Sequence, residues 1–373
     1  MNIIILKNNI KEGLAAISGA HKEGSHLPAL KNFLLSVQNN IVRLISTDLE
    51  LAIQYTVSAK IIEDGLVAIP FSVFSQIINN LSSERINFEQ KGSSLLISSD
   101  NYKAKITIAN NDEYPIIPSI EDKKSTQLVL DAETFIDGLS SVSAACQSSD
   151  IRPELSGVYL SYKSGVLKLA ATDSFRLAEK IISDKKYETT VTGDFSCIVP
   201  LKTFQEVIRV FSTKKDGKIT VRFDDHQILF ETEHVSIISR LIEGKFPEYD
   251  AIIPKQFLTE VVLKTSDVIA AIKVTSSLSN RLHEVKFVID DALKNIQIIS
   301  MSQEFGESEY VLPAKIKGQS SKITFNWRFV LDGLKNIKTE SVFIGFNGEE
   351  KATVFKSPDD ALFLYIVMPI KSA

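Results

Sequence analysis

The chain repeats itself, and that limits its fold more than any single motif. Three segments share one pattern: Ile69-Pro70-Phe71-Ser72-Val73-Phe74, Val199-Pro200-Leu201-Lys202-Thr203-Phe204 and Thr324-Phe325-Asn326-Trp327-Arg328-Phe329. Each closes a strand-like run and opens a helix-like one, FSVFSQIINNL, LKTFQEVIRVF and NWRFVLDGLKNI, with apolar residues recurring at three and four. β-alternating runs such as RINFEQ, KITVRF and SVFIGF follow. Upstream of each lies a second shared pattern. The helix-like runs NNIKEGLAAISGA, DAETFIDGLSSVSAAC and TSDVIAAIKVTSSLS lead into the strand pairs FLLSVQNNIVRLIST, GVYLSYKSGVLKLAATD and VKFVIDDALKNIQIIS.

Equivalent positions lie about 125 to 130 residues apart, too far for a short solenoid repeat and right for a triplicated domain. Each copy reads as α+β, with two helices and many short strands. Proline-rich and charged stretches near 114–124 and 247–254 set the expected domains at 1–120, 121–250 and 251–373.

Catalytic chemistry leaves no trace in the motifs. The sequence has no GxxxxGK[ST] loop, no GxGxxG, no GxSxG elbow and no HExxH. Its five histidines are scattered, and Cys146 and Cys197 are too few for a cysteine-based zinc site or a disulfide framework. Asp48 and Asp173 occupy the same repeat position, in Thr47-Asp48 and Thr172-Asp173, each just after an apolar strand. There Thr and Asp cap a turn by bonding to backbone, so a structural role is expected rather than acid–base work. No cofactor and no metal are expected. The N-terminal run lacks the features of a signal peptide, and no apolar run is long enough to span a membrane, so a cytoplasmic location is expected.

Charge is distributed unevenly. The net charge of −4 argues against a generic basic DNA coat. The six helix-like runs (6–22, 71–82, 131–147, 201–215, 266–281 and 326–338) nonetheless hold twelve Lys/Arg against seven Asp/Glu, a net +5 that leaves −9 elsewhere. Helices gathered on one surface would attract phosphates while the sheets repelled them.

Five further motifs then fall in register on the repeat. They are Thr47-Asp48-Leu49-Glu50, the run from Arg152 to Val158, the run from Ala171 to Ala178, Gly244-Lys245-Phe246-Pro247-Glu248-Tyr249, and Tyr365-Ile366-Val367-Met368-Pro369-Ile370. Together they resemble the bacterial β sliding clamps, the processivity subunits of DNA polymerase III, over the whole chain. The resemblance implies three repeated DNA-clamp domains, each with two helices packed on antiparallel sheets, forming a ring as a head-to-tail homodimer. Helices would line the hole and contact the phosphate backbone of encircled double-stranded DNA without reading sequence.

The same resemblance implies a non-catalytic protein, accessory to a DNA-directed DNA polymerase. Its partners would be the catalytic subunit of DNA polymerase III, an ATP-dependent clamp loader and other clamp-binding-motif proteins. The partner-peptide pocket carries over to Leu155, Thr172, Ser174, Phe175, Arg176, Leu177, Pro247, Ile252, Asn326, Phe329, Val367, Met368, Pro369 and Ile370, with Leu155, Leu177 and Met368 as anchors. DNA contacts carry over to Arg152, Lys202, Arg209, Lys214, Lys215 and Ser149, with Arg152 and Lys202 preferred. Ala251 stands where some members carry Arg. Two other readings are open: a hydrolase or transferase, which needs a convergent polar cluster absent here, and a repeat-built protein-interaction scaffold without DNA.

Overall fold

Every α-helix starts where a strand stops, with no loop between. The computed structural model describes residues 1–120, 127–147, 149, 151–212, 217–292 and 294–371. Strand Asn2–Leu6 runs into α1 (Lys7–Ile17), Gly65–Pro70 into α2 (Phe71–Asn80) and Gln127–Asp131 into α3 (Ala132–Ser143). Phe195–Pro200 leads into α4 (Leu201–Phe211), Thr259–Lys264 into α5 (Thr265–Thr275) and Ser321–Asn326 into α6 (Trp327–Leu334). All six expected helices are present. Pro70 and Pro200 suit this junction, because a residue without an N–H can end a strand and precede a first helical turn at little cost. Asn326 makes the junction differently, its side chain accepting from Arg328 N as a helix cap.

Among the described residues the strands form four antiparallel sheets, grouped in two compact units. The first unit comprises Met1–Ala132, Glu188–Thr192 and Gln205–Leu241; the second comprises Glu133–Tyr187, Gly193–Phe204 and Ile242–Ala373. The middle repeat is therefore shared out. In the first unit its strand Val235–Arg240 pairs with Leu51–Val57, joining two repeats in one nine-stranded sheet. In the second unit its strand Arg176–Ile182 pairs with Phe363–Val367 and makes another nine-stranded sheet. Both joints remove sheet edges that would otherwise invite aggregation.

Helices lie close on these sheets. A Cβ at Gly13 of α1 would fall 2.4 Å from Leu44, and one at Gly333 of α6 would strike the Tyr365 ring at 2.2 Å. Phe33, Phe74 and Phe88 pack in series at 5.3 Å between centroids in the first unit, as Phe287 and Phe325 do at 5.4 Å in the second. Each such ring, fully buried, contributes roughly 1.5–3 kcal/mol through loss of apolar surface from water.

Candidate functional site

The site is built on one turn of the second unit. Strand Val166–Thr172 ends at Thr172, whose Oγ1 donates to Arg176 O at 2.7 Å and accepts from Ser174 N at 3.2 Å. Asp173 Oδ1 accepts from both Phe175 N and Arg176 N at 2.9 Å. Ser174 sits in left-handed backbone at φ +77°, which throws Phe175 outward, 61% exposed. Asp173 is thus a turn-former, and its carboxylate, only 2% exposed, also pairs with Arg176 Nε at 2.9 Å.

Arg176 carries the turn to the third repeat. Its Nη1 meets Asp332 Oδ2 in α6 at 2.7 Å, and its guanidinium lies 4.3 Å from the centroid of the Phe329 ring. The C-terminal segment closes on the same turn. Met368 N donates to Phe175 O at 2.8 Å, and Ile370 N donates to Thr324 O at 2.8 Å, just before α6. A C-terminal segment usually frays; this one is tied through residue 370.

A third segment joins through Arg152, whose Nη1 donates to Ser174 Oγ at 3.0 Å and whose Nε donates to Glu154 at 3.1 Å. Leu155 follows in the 3-10 turn Pro153–Leu155, buried, its carbonyl accepting from Cys146 Sγ at 3.3 Å. Burial, and then the charge of Asp173, push that thiol up to about 12. Leu177, 2% exposed, lies in a cluster with Ala170, Ile198, Phe246, Tyr249 and Ile366. Pro247 is half-buried between Phe246 and Tyr249 in sequence, and Ile252 is exposed beside Ile253, which packs on the cluster. Val367 is fully buried, Met368 is exposed, and Pro369 and Asn326 are half-buried.

Most of the carried-over pocket residues therefore meet, with Leu155 and Leu177 inside and Phe175, Ile252 and Met368 outside. Sequence reasoning missed Asp332 and a buried polar triad. Tyr249 OH donates to Glu179 Oε2 at 2.7 Å and Lys168 Nζ donates to the same oxygen at 3.0 Å. Burial raises the Tyr249 phenol above its ordinary range, and the neighbouring Glu179 carboxylate adds to this. The signal was present: in RLAEKII the period of two puts Glu179 on the same face as Leu177, where an acid requires partners.

The residues carried over for DNA fare unevenly. Lys202 is exposed at the start of α4, and Ser149 is half-buried, its Oγ accepting from Arg152 N at 3.1 Å. Arg209 has another employment. Its guanidinium donates to Ala15 O and Ala16 O at 2.7 Å, where α1 ends, and pairs with Glu206 at 2.6 Å. It caps a helix terminus, where a cation offsets unsatisfied carbonyls. Lys7 similarly reaches Leu81 O, and Lys338 pairs with Asp137 at 2.6 Å, so part of the helix-borne positive charge is used within the fold. Lys214 and Lys215 lie outside the described residues. Among the described residues, no cluster of His, Cys, Asp and Glu could hold a metal, and no helix is long and apolar enough to cross a membrane.

Three domain models of one family account for the chain in order. The N-terminal, central and C-terminal domains of the DNA polymerase III beta subunit match residues 1–118, 129–248 and 250–371. The chain belongs to the DNA polymerase III beta subunit family. It is 26% identical to the beta sliding clamp of Synechocystis sp. over 390 residues, covering 100% of this chain and 99% of that one. The DNA polymerase III beta subunit of Thermotoga maritima superposes with a TM-score of 0.89 at 27% identity, and all of each chain is covered. The Bacillus subtilis sliding clamp shares the fold at a TM-score of 0.94 and 23% identity, again over all of both chains. The beta-subunit chain is a DNA sliding clamp built from three clamp domains of few helices on antiparallel sheets. The scaffold reading without DNA is not favoured.

Proposed function

We propose that two copies of this clamp close head to tail into a ring around double-stranded DNA, and that the site on the Thr172–Arg176 turn holds short linear peptides from its partners. Those partners are the catalytic subunit of DNA polymerase III, an ATP-dependent loader and other proteins with a clamp-binding motif. The clamp itself is non-catalytic, and it works in the cytoplasm, on the nucleoid during replication. Its domains are 1–120, 121–250 and 251–373.

One observation carries the peptide site. Three sequence-distant segments, including the C-terminal one, are tied to a single turn that holds Phe175 and Met368 exposed and runs on into buried Leu177. Aliphatic and methionine side chains of this kind adapt to several peptides. Fourteen positions serve this site: Leu155, Thr172, Ser174, Phe175, Arg176, Leu177, Pro247, Ile252, Asn326, Phe329, Val367, Met368, Pro369 and Ile370.

Ring closure is supported by two edge strands of opposite charge. Strand Lys103–Thr107 is the edge of the five-stranded sheet and exposes Lys103 and Lys105 on one face. Strand Gly306–Pro313 is the edge of the four-stranded sheet and exposes Glu307 and Glu309 on one face. Pairing these edges between copies satisfies both backbone ladders and matches charge. DNA is held by enclosure, with Lys202 and Arg152 as the favoured phosphate contacts, and Ser149, Arg209, Lys214 and Lys215 as the other candidates. Loaded by its matched loader onto nicked circular DNA, the protein should stay on the circle and run off after one restriction cut. Retention on both forms, or on neither, would sink the ring.

A further inference from the structure

The first unit holds a second copy of the turn, and beside it a cavity of about 270 Å³ that the function proposed above does not use. Thr47 Oγ1 donates to Leu51 O at 2.9 Å and accepts from Leu49 N at 3.0 Å, as Thr172 does with Arg176 and Ser174. Asp48 Oδ1 accepts from Glu50 N and Leu51 N at 3.1 and 2.8 Å. Leu49 has φ +79° against +77° for Ser174. The closing bond is copied too: Arg240 N donates to Glu50 O at 2.9 Å, where Met368 N donates to Phe175 O. Strand register agrees, with Ile238 opposite Ala52 as Ile366 is opposite Leu177.

The side chains around the two turns differ, and the differences decide what the cavity takes. Ala52, a smaller side chain, lines the cavity where the second unit has Leu177. Leu49 and Ile116 form an exposed apolar wall, Ile116 being 95% exposed. Arg240 replaces Met368 at the rim, and its nearest carboxylate among the described residues is Glu50 at 4.0 Å, both side chains being about two-thirds exposed. An exposed pair at that distance holds only weakly, so Arg240 can exchange it for another carboxylate. The volume is below the roughly 300–1,000 Å³ of cofactor and drug-sized sites and fits one or two aliphatic side chains.

We propose that this cavity is a second docking site, for a short extended peptide of a partner protein that carries aliphatic side chains next to an acidic residue. The peptide class is carried over from the function proposed for the second unit; the cavity and the rim cation are independent of it. Whereas the site of the second unit relies on Met368 and on an Arg176 already ion-paired with Asp173 and Asp332, this one selects an acidic neighbour through Arg240.

The test uses the full chain with isoleucine methyl labelling and two probes, N-acetyl-Leu-Asp-Leu-amide and its Asn counterpart. Ile116 and Ile238 report on this cavity, and Ile366 and Ile370 on the second unit. Saturable shifts at Ile238 and Ile116, about fivefold weaker for the Asn probe, are expected. Ile116→Glu, a change at a solvated side chain, should weaken that binding about tenfold and leave Ile366 and Ile370 responding as before. Arg240→Ala should make the two probes equivalent. If only Ile366 and Ile370 move, the second docking site is wrong and the peptide site of the second unit stands. If only Ile116 and Ile238 move, the docking site stands and the peptide reading of the second unit falls. Silence at all four methyls, or equal response to both probes in the unaltered chain, overturns the proposal.

Discussion

The turns at Thr47–Leu51 and Thr172–Arg176 share a backbone, a register and a hydrogen-bond scheme, yet they support different surroundings. In the second unit the turn is followed by Arg176, which links Asp173 to Asp332 and lies over Phe329. In the first unit the residue at that place is Leu51, which is buried. A shared backbone device therefore leaves the chemistry next to it free to diverge between repeats. One copy is tied to α6 through a cation, and the other has a cavity beside it, lined in part by Ala52.

Removing the carboxylate separates the copies most strongly. Asp173→Ala should cost about 3–5 kcal/mol, because it strips two backbone N–H groups of their acceptor and leaves a largely buried Arg176 with one partner fewer. Asp48→Ala should cost only about 1–2 kcal/mol, with no arginine three residues on to strand. Equal losses in denaturant unfolding would mean that Arg176 adds nothing to the second turn.

Exchanging the floor residues comes next. Leu177→Ala should destabilise by about 2–4 kcal/mol through lost burial and a new cavity. Ala52→Leu should cost no more than about 1–3 kcal/mol as overpacking and should abolish shifts at Ile238 on adding the acidic probe. If the Leu177→Ala variant unfolded at the same denaturant midpoint as the unaltered chain, Leu177 would not be packed core.

The alkaline limb of stability provides a gentler probe. The Cys146 thiol is raised to about 12 in the folded chain, against an unfolded value near 9. Above pH 9 the folded state therefore holds the proton that the unfolded state releases, so stability is intact below about pH 9 and falls as pH rises toward 12. By pH 10 the fall from this one group is about 1 kcal/mol, and Cys146→Ala should remove it. An unchanged slope between pH 9 and 10 in that variant would place the thiol in solvent. The smallest effect is at the turn apex. Leu49→Gly should stabilise by about 0.5 kcal/mol, since release from left-handed strain slightly exceeds glycine's entropy cost. A fall in melting temperature would mean that the Leu49 side chain is needed for packing.

The two Thr-Asp turns and all six helices were legible in the sequence, because their causes are local. Side-chain oxygens reach backbone two or three residues on, and apolar periodicity marks a helix face within a dozen residues. Motif register brought Phe175 and Met368 into the candidate site but not Asp332, which enters only through an arginine 156 residues away. The charge of Arg209 is visible in the sequence, and the carbonyls of Ala15 and Ala16 that bind its guanidinium are not.

By itself, then, the sequence determined the threefold repeat, the strand-to-helix junctions and the capped turns. Only the tertiary structure decided that the middle repeat gives one sheet to each compact unit. It alone also decided that a cavity lies beside the Thr47–Leu51 turn, and that Ile370 is tied to Thr324. These outcomes depend on which strand edges meet and on how much volume facing side chains leave between them. Both are sums over residues far apart in sequence, which no local pattern encodes.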